Sequence, residues 1–147
     1  MPMFRCSTVT GESDSEAHPA RAREIVTSMQ GRPAWDTMCI APNALGQFPF
    51  MNLSWHEGHG FEVQCFEAPE SVSDFLVSHS DISSPEVYVE LGGQTQELWP
   101  LQLFVPLETA VLALHHFLET GRENPNLVWV RIDRFPRRTV RPPPLLE

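Results

Sequence analysis

A single α+β domain is the fold class that the 147-residue sequence predicts: a mostly antiparallel sheet, one long C-terminal helix at about 106–120, and shorter helices packed on one side. Three observations predict it. Apolar residues recur at steps of three and four through Leu107, Ala110, Val111, Leu114, Phe117 and Leu118, which is one stripe of a helix with 3.6 residues per turn. Strict apolar–polar alternation runs through Met51–His56 and again through Phe61–Phe66, with a glycine-rich turn between them. Directly after the helical stripe, "LVWVRI" alternates again and is rich in β-branched residues. A helix that feeds a strand beside a hairpin describes helices laid on a sheet.

Taken in order, the opening "MPMFRCSTVTGESDSE" has no charged-then-apolar leader pattern and reads as a mobile polar lead over residues 1–14. The domain is expected over 15–135 and an extended Arg/Pro-rich tail over 136–147. "ARAREIVTSM" predicts a short helix from Ala20 to Met29, stopped by Gly31 and Pro33, and "WDTMCIA" predicts a strand from Trp35 to Ala41. The hairpin follows, with "EGHG" as its turn and one face apolar, as in an antiparallel sheet covered on one side. "PESVSDFLVS", Pro69 to Ser78, is expected to be a short helix with a proline near its start. "EVYVELGGQTQELWPLQLFV" reads as a strand, a Gly-Gly break and a second extended arm. For the long helix, Pro106 suits the first helical position and Glu108 meets the positive end of the dipole. Gly121 suits the left-handed position past its end, and Pro125 prevents a restart. The proline run "RPPPLLE" favours a polyproline conformation.

The 41% hydrophobic content argues against wholesale disorder, and no run of 18 apolar residues exists to span a membrane. Three widely spaced cysteines, Cys6, Cys39 and Cys65, fit free thiols in a reducing cytoplasm better than a disulfide framework, and Cys65 in its apolar run is expected in the core. The formal net charge is −9, and all ten basic residues are arginine. Between Pro33 and Gly121 the chain carries twelve acids and no Lys or Arg. Five arginines, Arg131, Arg134, Arg137, Arg138 and Arg141, crowd into the C-terminal end. The body is therefore a negative object that repels nucleic acid and attracts a basic partner. An acidic surface also serves plain solubility.

Chemistry is hard to place. His56 and His59 stand three apart across a glycine turn, whereas the zinc-protease pattern needs two histidines four apart on a helix. The adjacent His115 and His116 cannot chelate from one helical face, so no metal and no cofactor is expected. There is no GxSxG elbow, and Gly92-Gly93 is followed by Gln94 rather than by a phosphate-loop lysine. A basic, aromatic-interleaved nucleic-acid surface is absent outside the terminal arginines. A binding protein is expected rather than an enzyme. "QTQELWP", Gln94 to Pro100, mixes amides, an acid and a tryptophan after the glycine break, a composition suited to a binding loop.

"VPLETAVLALHHFLETG" followed by "LVWV" resembles the C-terminal signature of the first-described family of immunity proteins in bacterial polymorphic-toxin systems. The matching positions are Val105, Pro106, Ala110, Ala113, Phe117, Leu118, Gly121, Pro125, Val128 and Trp129, with "ELWP" as the approach to the helix. The resemblance covers about residues 87–132. It implies a bacterial cytoplasmic protein that binds and neutralises a cognate secreted toxin in interbacterial competition, a deaminase or nuclease among the associated toxins. On that reading the acidic surface occludes a basic active-site channel, with no direct nucleic-acid binding and no membrane contact. The candidate toxin-binding residues are Glu62, Glu67, Glu90, Gln94, Gln96, Glu97 and Trp99, on the expected outer sheet face and the Gly92–Trp99 loop. The alternative is a cytosolic adaptor or chaperone for a secreted effector, which would bind an unfolded segment instead of a folded toxin domain.

Overall fold

In the computed structural model, the described residues are 4–8, 13–14, 18–31, 35–42, 48–68, 73–78, 86–90, 96–134 and 140–141. In chain order they form β1 (Arg5–Thr8), β2 (Ser13–Asp14), α1 (Pro19–Met29), β3 (Trp35–Ala41), β4 (Phe50–His56) and β5 (Gly60–Phe66). Then come β6 (Asp74–Leu76), β7 (Glu86–Glu90), β8 (Gln96–Pro100), α2 (Leu107–Thr120), β9 (Trp129–Arg131) and β10 (Val140–Arg141). A seven-stranded sheet has the order β2-β1-β3-β4-β5-β6-β9, and a three-stranded sheet the order β10-β8-β7. Every paired strand in both sheets runs antiparallel to its neighbour. The class is α+β.

The β4–β5 hairpin is the axis of the large sheet. Its register pairs Met51 with Cys65 and Leu53 with Val63, and their side chains are buried on one face. Gly58 (φ 82°) and Gly60 (φ 120°) carry the turn in conformations that other residues rarely adopt. A Cβ on Gly60 would also lie 3.0 Å from the Val105 carbonyl oxygen, because Phe61 and Val105 exchange two backbone hydrogen bonds beside it.

Both helices contribute to the core on the Met51–Leu53 face of that sheet. Ala22, Ile25, Val26 and Met29 of α1 and Ala110, Val111, Ala113, Leu114, Phe117 and Leu118 of α2 join Met38, Ile40, Met51, Leu53, Phe61, Val63 and Cys65 in one cluster. That stripe on α2 is the one its spacing predicts. Pro106 is the N-cap rather than the first helical residue, and Gly121 closes the helix at φ 71° with its N–H on the Phe117 carbonyl (2.7 Å). Arg23 reaches Glu108 at 2.7 Å, and His115 Nε2 meets the Pro19 carbonyl at 3.2 Å, so α1 and α2 are also tied at the surface.

Four expectations need correction. A single long C-terminal helix is not supported: the helices have 11 and 14 residues, and α2 is followed by β9, which completes the edge of the large sheet. The segment expected to be a helix at 69–78 instead carries strand β6 at Asp74–Leu76 within its described residues 73–78, because Phe75, Leu76 and Val77 are buried in succession, Leu76 in the main cluster and Phe75 and Val77 in a second one. Phe4–Thr8 does not belong to a loose lead: β1 pairs along β3, and Phe4 and Cys6 are buried, with Phe4 against Phe117 at 4.8 Å. The "LVWVRI" strand is three residues long, Ile132–Arg134 turning into a short 3-10 segment.

The second cluster joins Phe75, Val77, Trp99, Leu103, Phe104 and Val130, with Val87 and Ile132 packed against it. Phe75 and Val130 are register partners, one residue out of step with the helix-side Leu76 and Trp129. The small sheet therefore meets the large one, through Trp99, on the face opposite the helices.

Candidate functional site

Alternation along β3, β4 and β5 turns Thr37, Cys39, Asn52, Ser54, His56, Glu62 and Gln64 away from the helices. The register sets Thr37, Ser54 and Glu62 in one row across the three strands, and Cys39, Asn52 and Gln64 in the next. Thr37 Oγ1 and Ser54 Oγ share a hydrogen bond of 2.9 Å, and Gln64 Nε2 donates to Ser73 Oγ at 2.7 Å. This is a polar band rather than the open apolar-free surface that a solvated sheet face would present.

Its centre is closed. His56 is 4% exposed and Glu62 6%. His56 Nε2 lies 3.8 Å from Glu62 Oε2, an ion-pair distance that is too long for a hydrogen bond. Both ring nitrogens of His56 are buried with no hydrogen-bond partner among the described residues. The ring stands edge-on to Trp99 (5.2 Å) and to Phe104 (5.5 Å). The turn explains the pairing: His56 faces Gly60, which has no side chain, so its nearest same-face partner on β5 is the diagonal Glu62. A histidine–carboxylate pair can hold and pass a proton, but Trp99 and Phe104 close this one, and the Ser54 hydroxyl beside it is bonded to Thr37.

A second titratable group lies at the other face. Cys65 and Asp74 are register partners on the helix side, and Glu123, in the loop after α2, shares a side-chain hydrogen bond with Asp74. Burial, that hydrogen bond, and the negative charges of Asp74 and Glu67 push the Glu123 carboxyl up to about 9. Burial and the same three carboxylates push the Cys65 thiol up to about 12, so it is a poor nucleophile. Burial also raises the Cys39 thiol. Beside this cluster a cleft of about 400 Å³ is lined by Pro49, Glu67, Ala68, Thr120, Gly121 and Arg122. Among the described residues, no three His, Cys, Asp or Glu side chains come together in a way that could hold a metal ion.

The sequence-derived candidates scatter. Glu62 is internal, paired with His56, which corrects its placement on an exposed face. Trp99 is 5% exposed and packs in the second cluster against Phe104, so it is no loop anchor; the ladder with β7 already begins at Gln96. Glu67 is exposed. Glu90 and Gln96 are direct register partners in the small sheet, and Glu97 pairs with Val89 on one side and Val140 on the other. Gln94 lies outside the described residues. Of the twelve acids between Pro33 and Gly121, Asp36 and Glu62 are buried, whereas Glu57, Glu67, Glu108 and Glu119 are exposed. Sequence reasoning missed the meeting of Asp74, on β6, with Glu123, in the loop after α2, and the pairing of His56 with Glu62, which the hairpin register fixes.

No family model and no curated protein matches the chain.

Proposed function

We propose that this chain is an immunity protein, a bacterial cytoplasmic inhibitor that binds and neutralises a cognate toxin whose own substrate is a nucleic acid. The observation that carries the reading is the charge distribution: twelve acids and no Lys or Arg from Pro33 to Gly121. A deaminase or nuclease needs a basic channel for its substrate, and an acidic protein of this size complements such a channel without doing chemistry. The resemblance of "VPLETAVLALHHFLETG…LVWV" to the immunity-protein signature supports the reading on independent grounds. On this proposal α2 and the strand after it are scaffold, and recognition belongs to the acids that face solvent and to the small sheet. Glu62 and Trp99 act from inside, by fixing how the small sheet sits on the large one.

The test is to read the gene next to the one for this chain and to co-express the chain with the C-terminal domain encoded there. A stable complex with the folded domain, together with rescue of cells from the toxin, is the expected result. Binding only to an unfolded or signal segment of the neighbour would make the chain an adaptor instead.

A further inference from the structure

Among the described residues, four strands end the two sheets, and three of them are short: β2 and β10 have two residues and β9 three. Short edges are the usual protection against pairing with another chain. The fourth, β7, runs five residues, "EVYVE", and among the described residues only β8 pairs with it. Its centre is β-branched and aromatic, the composition that favours a strand, and it carries no proline. Its two end positions, Glu86 and Glu90, fall in phase with each other and out of phase with Val87, which packs against the second core cluster. The opposite edge of the same sheet shows what such a strand accepts. There the chain's own arginine-rich segment adds β10 to β8, with Val140 opposite Glu97 and Arg141 opposite Gln96.

The geometry points to the edge of β7 away from β8, unpaired among the described residues, as a strand-addition site for an extended basic segment of a partner protein, with cationic residues four apart opposite Glu86 and Glu90. Backbone hydrogen bonds would supply the docking, and the two glutamates the choice of a basic over an acidic strand. The inference rests on the basic partner proposed above and names where on this chain that partner engages.

The probe is a capped peptide with the core Arg-Val-Thr-Val-Arg, titrated into the full-length, isotope-labelled chain. Binding with a Kd of about 1 mM or tighter is expected. Alternate amides within Glu86–Glu90 should gain protection from exchange, and the Glu-Val-Thr-Val-Glu peptide should bind at least about tenfold more weakly. In a chain carrying Glu86→Arg and Glu90→Arg the preference should invert; if that chain does not fold, Glu86→Gln with Glu90→Gln should abolish the preference. No response of the β7 amides, equal binding of both peptides, or loss of the β8–β10 pairing in place of protection on β7 would each overturn the site. A failed peptide leaves the toxin reading standing, because co-expression tests that separately.

Discussion

Glu123 links the state of one proton to the stability of the fold. Its carboxyl ordinarily titrates near 4.5 and in the folded chain is held up to about 9. Below pH 4.5 both folded and unfolded chains carry the proton, and the preference of the fold for the protonated form counts in full. As pH rises from 4.5 towards about 9, the unfolded chain releases the proton while the fold retains it, so stability falls across that window. Glu123→Gln keeps the shape and removes the titration. Its melting temperature, relative to the parent chain, should climb steadily from acid to mildly alkaline pH. The gain should reach about 1–2 kcal/mol, far below that of a fully buried carboxyl because the group is only half buried. A difference that does not vary with pH would show that the carboxyl is not the titrating group. His56 and Glu62 make a different residue-scale case. Removing one partner leaves the polar atoms of the other buried beside Trp99 and Phe104, so His56→Phe or Glu62→Leu alone should cost about 1–3 kcal/mol. Both together should cost about 1–3 kcal/mol less than the sum, measured by a double-mutant cycle in urea.

At the scale of elements, what the sequence makes legible is whatever is apolar on one face only. The stripe on α2 and the alternation of β4 and β5 have a single apolar side, the buried His56 and Glu62 on the other being polar, so their periods of 3.6 and 2 survive in the residue order. Strand β6 lies between two cores, with Leu76 in one and Phe75 and Val77 in the other, and a strand buried on both faces has no period to read. β1 hides for another reason: its inward residues, Phe4 and Cys6, are too few to set a pattern amid polar neighbours. The candidate site was less legible than the fold, since a burial such as that of Trp99 depends on which strand it pairs with. Two substitutions test the α2 assignment. Leu114→Asp places a charge in the main cluster and should destabilise by about 3–5 kcal/mol. Gly121→Ala forces a Cβ into the left-handed region 3.4 Å from Pro49 and should cost about 1 kcal/mol, without altering the far end of the sheet. Unchanged melting of Leu114→Asp would mean that the stripe faces solvent.

For the whole molecule, the charge distribution separates rates more than it adds stability. Among the described residues, Arg131 is engaged locally, reaching Asp133 at 2.8 Å. Exposed Glu67 and Glu119, in a stretch with no Lys or Arg from Pro33 to Gly121, project a field that acts before contact, when a basic partner is still several ångströms away. Such a field is screened within about 8 Å at physiological ionic strength. Adding salt should lower the association rate with the cognate basic domain, by about tenfold or more between low and high ionic strength. The dissociation rate should change much less, because it reports the desolvated contacts at the interface. Glu90→Arg with Glu97→Arg should weaken protection of cells while the isolated chain still melts as a folded protein. Stopped-flow association across a salt series reads the first effect, and a survival assay beside a thermal melt reads the second. A rate indifferent to salt, with full protection by the doubly reversed chain, would detach recognition from this acidic surface and from the small sheet together.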